Sequence, residues 1–562
     1  MSKQRKSFFI LMLLSIIIIF VHVDGFLSVD ALSDNSKISI YYKGNEIRNE
    51  NAYSINGGIF LPCSMIGKYI RSSRITVDEF NKQIVIDIAN ANLILEDVEV
   101  TEFIKQNMDY AYIPLRNIEG QLYFPLDVLK SFFHVTYSLD KNRVYIEEEA
   151  ENLKAMARIN KESVVVKPSV TDKRSKDLVL NSNDIFQIIY ETENYYKVRT
   201  QSDVICFLRK SDVDIFNIDL SQVDFYNFKR EKMDYGREKI NLVWEYVYLN
   251  TPAPDEDKND AIDIISPTWF YIKDSEGNVG NKADKGYLNQ VHQAGYKVWG
   301  LATNSFNGEL THTVLNNEKL TKKVVAQFLF YASLYNLDGL NIDFESVKNE
   351  DRDALTNFVS MMRYYTEKQG LTLSIDVMVP APWNMEYDRK ALSHLVDYIA
   401  VMTYDEHWSG STISGSVASY DWVNDYIKKS LQDIPSEKLL IGIPLYTRLW
   451  IEEPDGNGGV TVSSQSLSME QVREIIKEKG LRVNWLDKEK QHYIEYYEEG
   501  KTYKVWIEDS RSIAYKLSLI EAYDLGGSAS WRKGFEEESV WDVFEDIIKK
   551  GISFKEYRDI SY

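Results

Sequence analysis

Leu337-Asp338-Gly339-Leu340-Asn341-Ile342-Asp343-Phe344-Glu345 is the stretch on which the reading of this chain turns. Leu340, Ile342 and Phe344 alternate with Asn341, Asp343 and Glu345, the two-residue period of a strand with unlike faces. One face is apolar and suited to pack under helices. The other carries an amide and two carboxylates at successive same-face positions. A helical pattern from Lys322 to Tyr335 precedes the run and an amphipathic one from Asp351 to Lys368 follows it, so the strand is expected to be buried on both sides. Carboxylates are costly to bury without a partner or a task. A structural pair satisfied by hydrogen bonds is the plain alternative.

Working outward, strand-like runs alternate with helical ones from about residue 236 to 562, the pattern of βα units around a parallel sheet. The strand candidates are Ile240 to Val247, Ile262 to Ser266, Lys297 to Ala302, Leu337 to Glu345, Leu371 to Val377, Tyr398 to Tyr404, Leu439 to Pro444 and Leu525 to Trp531. Their number and span predict an α/β catalytic domain, a (β/α)8 TIM barrel. Residues 451–510 form an insertion, with Tyr493 to Tyr497 and Thr502 to Ile507 as a hairpin turning at Glu499-Gly500. In such barrels the active site lies at the C-terminal ends of the strands, which puts Asp343 and Glu345 at the mouth.

Asp338-Gly339-x-Asn341-x-Asp343-x-Glu345 resembles the DGxDxDxE signature of glycoside hydrolase family 18, with Asn341 where many chitinases carry Asp. That family includes chitinases, endo-N-acetylglucosaminidases and bacterial glucosaminidases that cleave peptidoglycan and spore cortex. Same-face residues two apart on a strand lie roughly 6.6 Å apart along it, a poor arrangement for flanking both faces of a sugar ring. The family is an exception to the two-carboxylate rule: the substrate's own 2-acetamido oxygen attacks the anomeric carbon. The resemblance implies that Glu345 is general acid and then base, and that Asp343 holds the acetamido N–H and stabilises the cationic intermediate. In relatives with Asp at position 341 that residue shares a proton with its neighbour. Asn341 bonds but carries no charge, which bears on the pH optimum.

Later segments extend the resemblance. Met402-Thr403-Tyr404-Asp405 matches the family's MxYD segment, which implies that the Tyr404 hydroxyl meets the acetamido oxygen and Asp405 the sugar hydroxyls. The run through His407 to Ser419 is most similar to the spore-cortex branch. Gly442-Ile443-Pro444-Leu445-Tyr446 offers Tyr446 as a cleft contact, and Trp531 stands at the family's subsite-floor position. An indole face stacks on the apolar face of a pyranose. Trp269 and Trp383 are weaker candidates, as suited to the core as to the cleft. The third strand ends Gly300-Leu301-Ala302-Thr303-Asn304 in place of the family's SxGG segment. This departure favours peptidoglycan over chitin.

Ahead of the barrel, Gly58-Ile59-Phe60-Leu61-Pro62 is echoed by Gly120-Gln121-Leu122-Tyr123-Phe124-Pro125. Each is followed by a helix-like run and a hairpin, so residues 37–148 read as a duplicated small α+β domain. It resembles the N-terminal stalk domain of some copper amine oxidases, a domain that bacterial surface proteins reuse without copper. Residues 156–218 are strand-rich with polar turns and resemble bacterial SH3-like barrels. A wall-binding role and a spacer role are both open for these modules.

Lys3, Arg5 and Lys6 precede an apolar run from Ser7 to Val23, and small and polar residues follow. Residues 1–31 therefore read as a signal peptide or an uncleaved membrane anchor, which makes the chain an exported one, at the cell surface, in the wall or outside the cell. The formal charge of −20 argues against nucleic acid as a partner. The 7 His form no metal-ligand spacing and no cofactor is expected. Together these readings imply an exported hydrolase of β-1,4-linked N-acetylglucosamine polymers, acting on peptidoglycan or spore cortex. A chitinase or N-glycan-cleaving enzyme is the alternative within the mechanism, and a glycan-binding wall protein without turnover the alternative outside it.

Overall fold

The computed structural model describes residues 36–562, apart from 92, 96, 141, 149–153, 167–177, 182–183, 201–204, 219–224, 227–237, 254–257 and 456–457. Eight strands close the C-terminal region into a barrel: β1 (Ile240–Glu245), β2 (Ile264–Pro267), β3 (Lys297–Thr303), β4 (Gly339–Asp343), β5 (Thr372–Met378), β6 (Tyr398–Met402), β7 (Leu439–Pro444) and β8 (Gly527–Trp531). Each pairs in parallel with the next, and β8 returns to pair with β1. The connection from β3 to β4 runs through the helices Gly308–Leu315 and Glu318–Tyr335, and that from β4 to β5 through Arg352–Lys368. The eight expected strands are these eight, and each lies within a few residues of its expected bounds.

Local chemistry fixes β4 at both ends. The preceding helix stops where Asn336 adopts a left-handed conformation, φ 59°, a cap that Asn tolerates. Gly339 then allows the strand to lie close against its neighbours: a Cβ there would sit 2.7 Å from the Thr372 carbonyl oxygen and 2.7 Å from the Trp299 ring. Leu340, Ile342 and Phe344 are fully buried, and the Phe344 ring stacks on Phe358 of helix Arg352–Lys368 at 5.0 Å between centroids. The alternating partners, Asn341 and Asp343, are buried with them. The alternation in sequence is thus a division between the helical layer and the barrel interior.

Asp338, just before β4, ties the strand to β3 and its helix. Its carboxylate meets His292 Nε2 at 2.7 Å and Lys297 Nζ at 3.2 Å, and accepts from the Val298 N–H at 2.9 Å. Burial opposes its charge, but His292, Lys297 and the backbone bond outweigh it and pull the carboxyl down to about 2. The first carboxylate of the signature is a structural clamp.

After β7 the chain builds a five-stranded antiparallel sheet (Tyr446–Pro454, Val460–Ser468, Asn484–Leu486, Gln491–Glu498 and Lys501–Ile507) with helix Met469–Lys479 across it. Its last hairpin turns at Glu499 and Gly500, both at positive φ, the geometry that a two-residue hairpin turn of compatible twist requires.

Residues 36–148 form a seven-stranded and a three-stranded sheet with helices Val98–Asn107 and Leu126–Phe133. The two echoed segments pair with one another: Phe60 lies opposite Pro125, Leu61 opposite Phe124 and Pro62 opposite Tyr123. This unit packs directly on the barrel helices. Phe103 stacks on Tyr365 at 4.0 Å, Lys368 pairs with Glu99 at 2.8 Å, and the Tyr112 N–H donates to the Tyr331 hydroxyl at 2.9 Å. A buried apolar cluster runs from Ile38 and Phe124 through the interface to Phe328 and Leu373. Between the two lie strands from residue 154 to 218, in a five-stranded antiparallel sheet and a separate two-stranded one. The expected signal peptide or anchor, residues 1–31, lies outside the described residues. Among the described residues no helix is long and apolar enough to cross a membrane.

Candidate active site

Asn341 and Asp343 project from β4 into the barrel interior, and Glu345 follows at the strand's end, partly exposed. Asn341 is fully buried and uses its whole hydrogen-bonding capacity. Its Oδ1 accepts from Trp244 Nε1 at 2.8 Å and from Ser266 Oγ at 3.2 Å. Its Nδ2 donates to Ser374 Oγ at 3.0 Å and to Asp376 Oδ1 at 2.8 Å. The indole N–H is a donor only, so the amide has one orientation that satisfies all four partners. Asp343, by contrast, has a buried Oδ1 with no hydrogen-bond partner among the described residues. Burial first, then the charges of Glu345 and Asp376, push its carboxyl well above the usual range.

Glu345 is held through its backbone. Asn304, at the end of β3, accepts from the Glu345 N–H at 3.0 Å and donates to the Glu345 carbonyl at 2.6 Å. The Tyr387 hydroxyl donates to the carbonyl of Phe344 at 2.8 Å. The Glu345 carboxyl is left facing the mouth, and burial, then the charge of Asp405, raise it to about 7. A carboxyl poised there is protonated often enough to give a proton and ionised often enough to take one back.

The end of β6 supplies the opposing wall. Met402 is buried, and Tyr404 follows, partly exposed. Burial, then nearby Tyr446 and the carboxylates, hold the Tyr404 phenol far above its ordinary value, so it stays a donor. Asp405 bends out at φ 60° and accepts from the Tyr446 hydroxyl at 2.6 Å and from Arg448 Nη2 at 3.1 Å. Tyr446 also packs edge-on against Tyr404 at 6.3 Å. One edge of the mouth is therefore a linked set, Tyr404, Tyr446, Asp405 and Arg448. Trp531, at the end of β8, packs near Trp244 at 6.2 Å and Tyr246 at 6.5 Å, with its ring partly open.

Of the residues singled out from the sequence, Asn341, Asp343, Glu345, Met402, Tyr404, Asp405, Tyr446 and Trp531 come from the ends of β4, β6, β7 and β8. Trp269 does not join them. It is fully buried, bonds through Nε1 to Thr251 Oγ1 at 3.0 Å and packs edge-on against Phe270 and Tyr287. Its ring is core, because helix Lys285–Ala294 and Tyr335 cover it, and it has no face left for a sugar. Trp383 and Trp408 are 70% and 56% exposed. Sequence reading missed Asp376, Asn304, Arg448 and Trp244. Asp376 had a signal, since Thr372, Ser374 and Asp376 are polar and alternate with apolar Leu373, Ile375 and Val377. Arg448 had none, because only the strand after β7 brings it back to Asp405. Among the described residues no three His, Cys, Asp or Glu side chains are grouped to hold a metal.

Residues 303–535 match the family model described as Glycosyl hydrolases family 18. The chain is 27% identical over 303 residues to the uncharacterized glycosylase YvbX of Bacillus subtilis (strain 168), covering 51% of this chain and 84% of that one. It is 26% identical over 263 residues to the cortical fragment-lytic enzyme of the same organism, covering 45% of this chain and 60% of that one. The crystal structure of the Bacillus megaterium QM B1551 spore cortex-lytic enzyme SleL shares the fold, with a TM-score of 0.50 at 21% identity over 56% of this chain and 75% of that one.

Proposed function

We propose that this glycoside hydrolase, whose barrel carries a family 18 domain, cleaves β-1,4-linked N-acetylglucosamine polymers of the bacterial wall, peptidoglycan and spore cortex, with retention of configuration. The observation that carries the reading is Glu345: a carboxyl raised to about 7 at the barrel mouth, with its neighbour Asp343 on the same strand. The proton moves from Glu345 to the glycosidic oxygen as the C1–O bond breaks. The substrate's 2-acetamido carbonyl oxygen closes onto C1, and the ring cation is met by the Asp343 carboxylate, which accepts the acetamido N–H. The Tyr404 hydroxyl donates to the acetamido oxygen and orients it for attack. Glu345, now ionised, takes a proton from water, and the oxygen of that water bonds to C1 from the face the leaving group vacated. The proton is returned to Glu345 and the acetamido group is restored.

The relatives named for cortex fragments favour a wall substrate. The modules at 37–148 and 156–218 suit an exported protein that is held at the wall or spaced from it, and the apolar segment at 1–31 suits export. Digestion of purified cell wall and spore cortex with residues 32–562, beside Glu345→Gln, tests the reading by mass spectrometry of the products. New reducing-end N-acetylglucosamine from the native protein alone is the expected result. Release from soluble chitin oligomers with none from either wall would transfer the assignment to a chitinase. Retention on the pellet without release would make the chain a glycan-binding protein.

A further inference from the structure

Asp376 is the buried carboxylate that this reading leaves unused. It is 1% exposed and lies on β5 at the step after the Ile342–Ile375 pair, so the register sets it beside Asp343. Asn341 and Asp343 face the barrel interior from β4, and Ser374 and Asp376 face it from β5. The groups around Asp376 are Asn341, Asp343 and Glu345 from β4, Ser374 from its own strand, Trp244 from β1, Ser266 from β2 and Tyr404 from β6. No cation is among them. Asn341 donates to Asp376 Oδ1 at 2.8 Å, and the Trp244 indole also lies against this carboxyl. The neighbouring Asp343 Oδ1 is buried and without a partner among the described residues.

Two adjacent carboxylates in a dry site cannot both be ionised, because their repulsion adds to the desolvation of each. They can hold one proton between them and carry a single charge. A residue needed only to accept from the Asn341 amide could have been Ser, at far lower desolvation cost.

We infer that Asp376 is a positioning residue for the reaction: it and Asp343, one from each of two adjacent strands, form a carboxyl pair that retains one proton. The single charge is then directed to Asp343, where the acetamido N–H arrives. Asn341, fixed by Trp244 and Ser266, is the brace of the pair and not a member of it. The role rests on the hydrolytic reading above.

The proton is observable without substrate. Infrared difference spectra of the full chain record the carbonyl stretch of protonated carboxyl groups. In Glu345→Gln, which removes the competing acid, the band is expected to persist above pH 7, the region in which Glu345 itself titrates. It should disappear on adding Asp376→Asn or Asp376→Ser, and return when Asn341→Asp is combined with Asp376→Asn. On the native background Asp376→Asn should lower kcat by about 10²-fold and leave KM within about twofold. A band that is absent from Glu345→Gln, or unmoved by both Asp376 substitutions, would overturn the inference. Failure of the native protein to cleave any glycan would overturn the hydrolytic reading while leaving the infrared result intact.

Discussion

Asn304 grips both backbone groups of Glu345, accepting from its N–H at 3.0 Å and donating to its carbonyl at 2.6 Å. A second donation, to Thr311 Oγ1 at 2.7 Å, locks the amide itself. The residue proposed to handle the proton therefore sits on a backbone fixed from the neighbouring strand.

Asn304→Ala should then cost kcat more than KM. A misplacement of about 1 Å is worth up to about 10²-fold in rate, and no sugar-binding side chain is removed. Steady-state kinetics on a soluble N-acetylglucosamine oligomer would check this. Equal kcat in the two proteins would mean that the clamp does not position the acid.

The pH profile follows from Glu345. Its carboxyl is raised to about 7 by burial and by Asp405, and only the protonated form can donate to the leaving oxygen. The rate should fall as pH rises through about 7. Asp405→Asn removes a negative charge and leaves the Arg448 guanidinium unpaired nearby, and both changes favour ionised Glu345. The alkaline limb should therefore move to lower pH. A limb that stays in place would show that burial alone sets the acid.

Trp531, proposed to stack on sugar, and Trp269, a buried core ring, are separable by experiment. Trp531→Ala should raise KM by about tenfold, on the scale of one lost aromatic contact, with little change in melting temperature. Trp269→Ala should cost about 3–5 kcal/mol of stability, the usual penalty for emptying a buried aromatic site. Thermal melts beside kinetics would distinguish the two, and the reverse pattern would mean that the roles are exchanged.

Asp338 makes a stability prediction with a definite sign. Its folded value of about 2 lies below the ordinary carboxyl value of about 3.9, so its contribution is fully present above that value. The contribution is lost as pH falls through about 2. At neutral pH it is about 2–3 kcal/mol, and Asp338→Asn should lose most of that in urea denaturation. The difference between the two proteins should shrink in strong acid; a difference independent of pH would point to packing.

The sequence by itself determined the barrel and the candidate acid. Period-two alternation in Leu340 to Glu345 and the regular return of apolar runs are local properties, and burial on two unlike faces leaves them visible in one dimension. The echo of Gly58–Pro62 in Gly120 to Pro125 was equally legible, though not that the two copies pair with each other. Tertiary structure alone decided how the site is supported. Asn304 lies 41 residues from Glu345, Asp376 35 from Asn341 and Arg448 43 from Asp405. These contacts come from strand register and barrel closure. The same cause placed Trp269 in the core: whether an indole faces sugar or protein depends on which helix covers it, and no local pattern records that.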